Sequence, residues 1–153
     1  MITQSQILWN AWNERLEIRR LSEDLQQQEG KFQALQNKKK ETQKKIDDLT
    51  HEMQENVSQQ STLEAKLIQL GTMIKRTNSA VELGKIVDYD SAIQQVKDAK
   101  KRTDDIENQI LDLIDREEEL EQLLISSKTL LNMHQARAVE AWDLVLLLRS
   151  DKA

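Results

Sequence analysis

Lys75-Arg-Thr-Asn-Ser-Ala-Val-Glu-Leu-Gly-Lys-Ile-Val-Asp-Tyr89 is the stretch whose reading decides the fold. On each side of it lies a long run with a seven-residue apolar repeat. Within it the repeat weakens, capping and turn residues collect, and Gly84 appears. If the chain folds back here it is an antiparallel helical hairpin. If it does not, it is a single long helix that needs a second chain.

Before this stretch, heptads counted from Ile18 place Ile18, Leu21, Leu25, Gln28, Phe32, Leu35, Lys39, Thr42, Ile46, Leu49, Met53, Asn56, Gln60, Leu63, Leu67, Leu70 and Ile74 at a and d. Only Gln28, Lys39, Thr42, Asn56 and Gln60 interrupt an apolar seam that never changes phase, which is the signature of a coiled coil. From Ile18 to Ile74 that seam would run roughly 85 Å as helix. Thr3 or Ser5 can cap its start. After the stretch the repeat resumes at Tyr89 and runs through Ala92, Val96, Ala99, Thr103, Ile106, Ile110, Leu113, Glu117, Leu120, Leu124, Ser127, Leu131, His134, Ala138, Ala141 and Val145 to Leu148. Ser91 with Gln94 fits a capping box, Asp88 or Asp90 can serve the same helix start, and Ser79 with Glu82 competes a few residues earlier.

Composition agrees with helix throughout. The 153 residues include no Pro, no Cys, three Gly, 32% charged and 3% aromatic side chains. A mean hydropathy of −0.69 supplies a narrow seam rather than a broad core. Lack of Cys removes disulfides and thiolate metal sites. No Gly-rich phosphate loop, nucleophile motif or metal-ligand spacing occurs, and the carboxylates sit on solvated helix faces, so neither an enzyme nor a cofactor is expected. A net charge of −5 disfavours nucleic acid, although Lys38–Lys40 with Lys44 and Lys45 form a basic cluster. Met1-Ile-Thr-Gln-Ser-Gln6 lacks the character of a signal peptide, and the longest apolar run, Leu144–Leu148, is far short of a membrane span. The expected location is cytoplasmic.

Three features favour the fold-back. The basic cluster near residue 41 and the acidic cluster Asp112, Asp115, Glu117–Glu119 and Glu121 could face each other. Lys97 to Arg102 could likewise face Glu52, Glu55 and Glu64. Folding also brings Trp9 and Trp12 towards Trp142, and matching layers sets Ile46 opposite Leu113, Asn56 opposite Thr103, and Lys39 near Glu117. The expectation is an all-α, long antiparallel two-helix coiled-coil hairpin over 1–153. Its first arm spans about 4–75, its tip about 75–88 and its second arm about 89–150. Internal pairing centres the turn near residue 79.

The two chain ends carry more apolar surface than one seam can use. Ile7, Leu8, Trp9, Ala11 and Trp12 crowd one end; Trp142, Leu144, Val145, Leu146 and Leu147 crowd the other. Either these ends cover each other, or Leu8, Trp9, Trp12, Trp142, Val145, Leu146 and Leu147 form a docking patch for a protein partner or a second copy.

Val87-Asp-Tyr89-Asp-Ser-Ala92, then Arg102, Glu107 and Ile110-Leu111, resembles the returning helix of bacterial coiled-coil hairpin proteins that end in a four-cysteine zinc ribbon. These 153 residues contain no Cys from which such a ribbon could be made, so the ribbon is not expected here. The resemblance covers roughly thirty residues and implies a tip close before Tyr89, nearer residue 85. It also implies adaptor or chaperone-like work around flagellar or type III secretion and transcription machinery. In length and architecture the chain is also similar to the coiled-coil stalk proteins of type III export ATPases. The function expected is a coiled-coil interaction module or adaptor. The alternative is a homo-oligomeric scaffold or spacer made by association of hairpin bases; nucleic-acid binding ranks below both.

Overall fold

A computed structural model describes residues 3–85 and 87–152 of the chain. It is an all-α hairpin of two long helices, α1 from Gln4 to Glu82 and α2 from Tyr89 to Lys152. The expected seam is the observed one. Every a and d position from Leu21 to Ile74, and every one from Ala92 to Leu148, is buried or half-buried. The exceptions are the outermost members, Ile18 at 58% and Tyr89 at 57% exposure.

The helix boundaries follow from local chemistry. Thr3 caps α1 reciprocally: the Gln6 N–H donates to Thr3 Oγ1 and the Thr3 N–H donates to Gln6 Oε1. At the other end Gly84 takes a φ of 65°. Its N–H donates to the Val81 carbonyl and the Lys85 N–H to the Ala80 carbonyl. That pair of bonds is a Schellman stop, which needs a left-handed residue at the position Gly84 fills. Asp88 then caps α2, its Oδ1 accepting from the Ser91 N–H at 3.0 Å. Ser91 is therefore the receiver of a cap and not the cap itself.

The turn occupies residues 83–88, within the expected tip, of which Ile86 lies outside the described residues. α1 continues about two turns past its expected end, because Arg76 to Ser79 are polar without being helix breakers and Thr77 and Val81 continue the seam frame. Moving a turn by some six residues slides the opposing partner by about twice that, so the expected register is corrected. Leu113 meets Asn56 rather than Ile46, and Glu117 meets Gln60 rather than Lys39. The acidic cluster is answered by Arg116 from within its own run. Lys97 to Arg102 do not take Glu52 or Glu55, which engage Arg116 and His51.

The chain divides into two compact units, residues 1–46 with 126–153 and residues 47–125. In the second unit the polar seam positions satisfy one another. Asn56 Nδ2 donates to the Leu113 carbonyl at 2.9 Å, and Gln60 Nε2 donates to Asn56 Oδ1 at 2.6 Å and Glu117 Oε2 at 2.7 Å. Arg116 donates from Nε and Nη2 to Glu52 Oε1 and from Nη1 to Glu119 Oε2. These bonds, to Glu52 first and then Glu119, raise its pKa and hold it protonated. In the first unit Leu25, Ala138, Ala141 and Val145 are buried, with Thr42, Ser127 and His134 among them. His134 lies in the seam as its d position implies, and its Nδ1 is buried without a hydrogen-bond partner.

Candidate functional site

The feature that stands apart is the start of α1. All residues from Thr3 to Arg20 are exposed, and the seam closes only from Leu21 onwards. α1 has 79 residues and α2, as far as it is described, has 64, so within the described residues the first turns of α1 have no α2 beside them. An overhang of about seventeen residues is roughly 25 Å of helix.

That overhang is not built for solvent. Ile7 is 56% exposed, Leu8 70%, Trp9 60% and Trp12 54%, and Leu16 and Ile18 are exposed as well. At about 100° per residue these side chains and Ala11 span roughly 200° of the helix circumference, with Asn10, Asn13, Glu14 and Glu17 on the remainder. Arg15 and Arg19 lie within the apolar arc. Trp9 and Trp12 stack with their ring centroids 5.6 Å apart. Ser5, Leu8, Trp9, Ala11, Trp12 and Arg15 line a shallow hollow on this surface.

The C-terminal candidates have a different role. Val145 is fully buried in the seam. Trp142 packs on Phe32 at 5.0 Å between centroids, and the Arg149 guanidinium lies 5.2 Å from its ring centre. Arg149 in turn donates to Glu29 Oε1 at 3.0 Å. Glu29, Arg149, Trp142 and Phe32 thus form a clasp that fastens the end of α2 to α1, through an ion pair, a cation–π contact and a tilted ring pair. The expected meeting of Trp142 with Trp9 and Trp12 does not occur, because the later turn sets Trp142 beside Phe32, twenty residues along α1 from Trp12. Leu146 and Leu147 are exposed, at 46% and 61%. Of the seven expected docking residues, Leu8, Trp9, Trp12, Leu146 and Leu147 present surface, Trp142 is 36% exposed while packed on Phe32, and Val145 is buried in the seam.

Ile18 and Leu16 belong to the uncovered surface although heptad reading put Ile18 in the seam and passed over Leu16. Ile18 is the outermost member of the heptad frame and Leu16 lies before it, and that position beyond the last closed layer was the signal that could have found them. Among the described residues no group of three or more His, Asp or Glu side chains is placed to hold a metal ion. Nor, among them, is any helix long and apolar enough to cross a membrane. No family model, curated protein or solved structure matches the chain.

Proposed function

We propose that this chain is a non-catalytic coiled-coil interaction module, an adaptor that docks through the open end of its hairpin. One observation supports it above the others: a capped, regular helix carries two tryptophans and four large aliphatic side chains that α2 leaves uncovered. Aromatic anchors on a preorganised helix suit protein recognition, since little conformational freedom is lost when they are buried. The zinc-ribbon resemblance would set such a module beside flagellar or type III secretion machinery. The a/d frame continuing into the overhang supports the second reading, a homo-oligomeric scaffold or spacer.

Tryptophan substitutions test the assignment. Trp9→Ala with Trp12→Ala should leave the unfolding free energy within about 0.5 kcal/mol of the parent, as for surface changes elsewhere. Trp142→Ala, which breaks the clasp, should cost about 1–3 kcal/mol. Only the first variant should lose every association that the parent makes, with itself or with other proteins, in sedimentation and cross-linking. Unchanged association in that variant would sink the proposal.

A further inference from the structure

We propose that a band of lysines in the unit formed by residues 1–46 and 126–153 holds the phosphate backbone of double-stranded nucleic acid. This is a further activity, independent of the open end of α1.

The charge is local. Residues 31–46 and 126–139 carry seven lysines, one arginine and a single carboxylate, Glu41, a net of +7 in a chain whose total is −5. The acidic cluster of residues 112–121, expected to cover these lysines, lies in the other unit, where Glu117 accepts from Gln60. Among the described residues no carboxylate lies within ion-pair distance of Lys31, Lys38, Lys40, Lys44, Lys45 or Arg137. The total charge is a poor guide to such a band, because charges more than about 10 Å away are largely screened at ordinary salt.

The helix arranges these charges. Lys31, Lys38 and Lys45 recur every seven residues and so share one flank of α1, over roughly 21 Å. Lys31 and Arg137 stand three heptads from Glu52 and Arg116 and take their places in the frame, so like charges stand where that flank elsewhere has an ion pair. Lys40 and Lys44, one turn apart, oppose each other in the same way. All six side chains are exposed, whereas Lys39 is half-buried in the seam. A repeating anion that spans the band relieves this repulsion.

The kind of anion follows from what accompanies the lysines. Protein interfaces are depleted in lysine and rely on aromatic anchors. The one aromatic residue in the band, Phe32, is packed on Trp142. Without a free ring there is also no platform on which the bases of a single strand could stack. What remains is a straight row of point charges, and 21 Å of duplex presents about six phosphates on each strand.

Fluorescence anisotropy of a labelled DNA duplex of about 30 base pairs, titrated with the full chain, provides the test. Saturable binding is expected at 50 mM NaCl, weakened about 40- to 500-fold at 200 mM, the response to three to five neutralised phosphates. Lys38→Gln, Lys40→Gln, Lys44→Gln and Lys45→Gln together should weaken it at least about 10-fold at 50 mM with ellipticity unchanged, since all four are exposed. Lys97→Gln, Lys100→Gln and Lys101→Gln together should not, because Asp98, Asp104 and Asp105 accompany those lysines. Trp9→Ala with Trp12→Ala should also leave duplex binding unchanged. Duplex RNA in place of DNA decides which duplex is held more tightly. No binding up to 100 µM at 50 mM NaCl, equal loss in the two lysine variants, or tighter binding of oligo-dT would each overturn the proposal. Retention of poly-glutamate or of anionic vesicles instead of duplex, lost in the fourfold variant, would give the band to an acidic protein or a membrane and overturn it too.

Discussion

Gly84 and Gly71 are the same residue type in opposite situations. Gly84 sits at a φ of 65°, where a Cβ is strained, and it makes the stop that ends α1. Gly71 lies in the interior of α1, eleven residues before its end, with nothing within 4 Å of where a Cβ would go. Gly84→Ala should therefore lower stability by about 1 kcal/mol, and Gly71→Ala should raise it by about 0.5–1 kcal/mol. Urea unfolding midpoints of the two variants should move in opposite directions. A shared direction would mean that the stop does not position the turn. In the sequence Gly84 marks the break between the two seams without being fixed as the stop itself. A glycine near a helix end signals a stop, yet the Ser79 and Glu82 pair offered a competing signal. The choice between them depends on whether polar Arg76 to Ser79 stay helical.

Between helices, phase and register have different origins, and only phase is local. The 3.5-residue repeat is written into each arm separately, so the buried faces of α1 and α2 could be read without knowing how they meet. Register depends on where the chain turns, and complementary charge clusters were a weak guide to it. Exposed pairs contribute only a few tenths of a kcal/mol each. Two further turns of helix with Thr77 and Val81 in the seam outweigh them. What marks the observed register is the polar set Asn56, Gln60 and Glu117, with the Leu113 carbonyl as acceptor. Such a set costs stability compared with leucine but is satisfied in only one alignment. Asn56→Leu with Gln60→Leu should raise the melting temperature and loosen the alignment. Spin labels at Gln59 and Gln109, which line one hollow, should then report a second distance in addition to the parent's single one, displaced by about 10 Å for one heptad. A single unchanged distance would show that the turn alone sets the register.

At the scale of the molecule, the candidate site is the part of α1 that the described residues of α2 do not cover. Its apolar residues near the N-terminus could be recognised from composition, since one seam cannot use Ile7, Leu8, Trp9 and Trp12 together. Whether the other chain end covered them could not, because that answer depends on the same turn. Placing the turn at Gly84 decides three things together: the overhang is open, Trp142 belongs to the clasp with Phe32, and Val145 belongs to the core.

The placement of the aromatic residues also makes the chain its own optical probe. All three tryptophans, Trp9, Trp12 and Trp142, fall in the unit formed by residues 1–46 and 126–153, and the single tyrosine, Tyr89, falls in the other. Indole emission therefore reports one unit alone, while far-ultraviolet ellipticity reports both. Helices joined by a turn at one end and free at the other open first from the free end. The emission change should precede the ellipticity midpoint on heating. Superimposed curves would instead show that the two units unfold as one cooperative body.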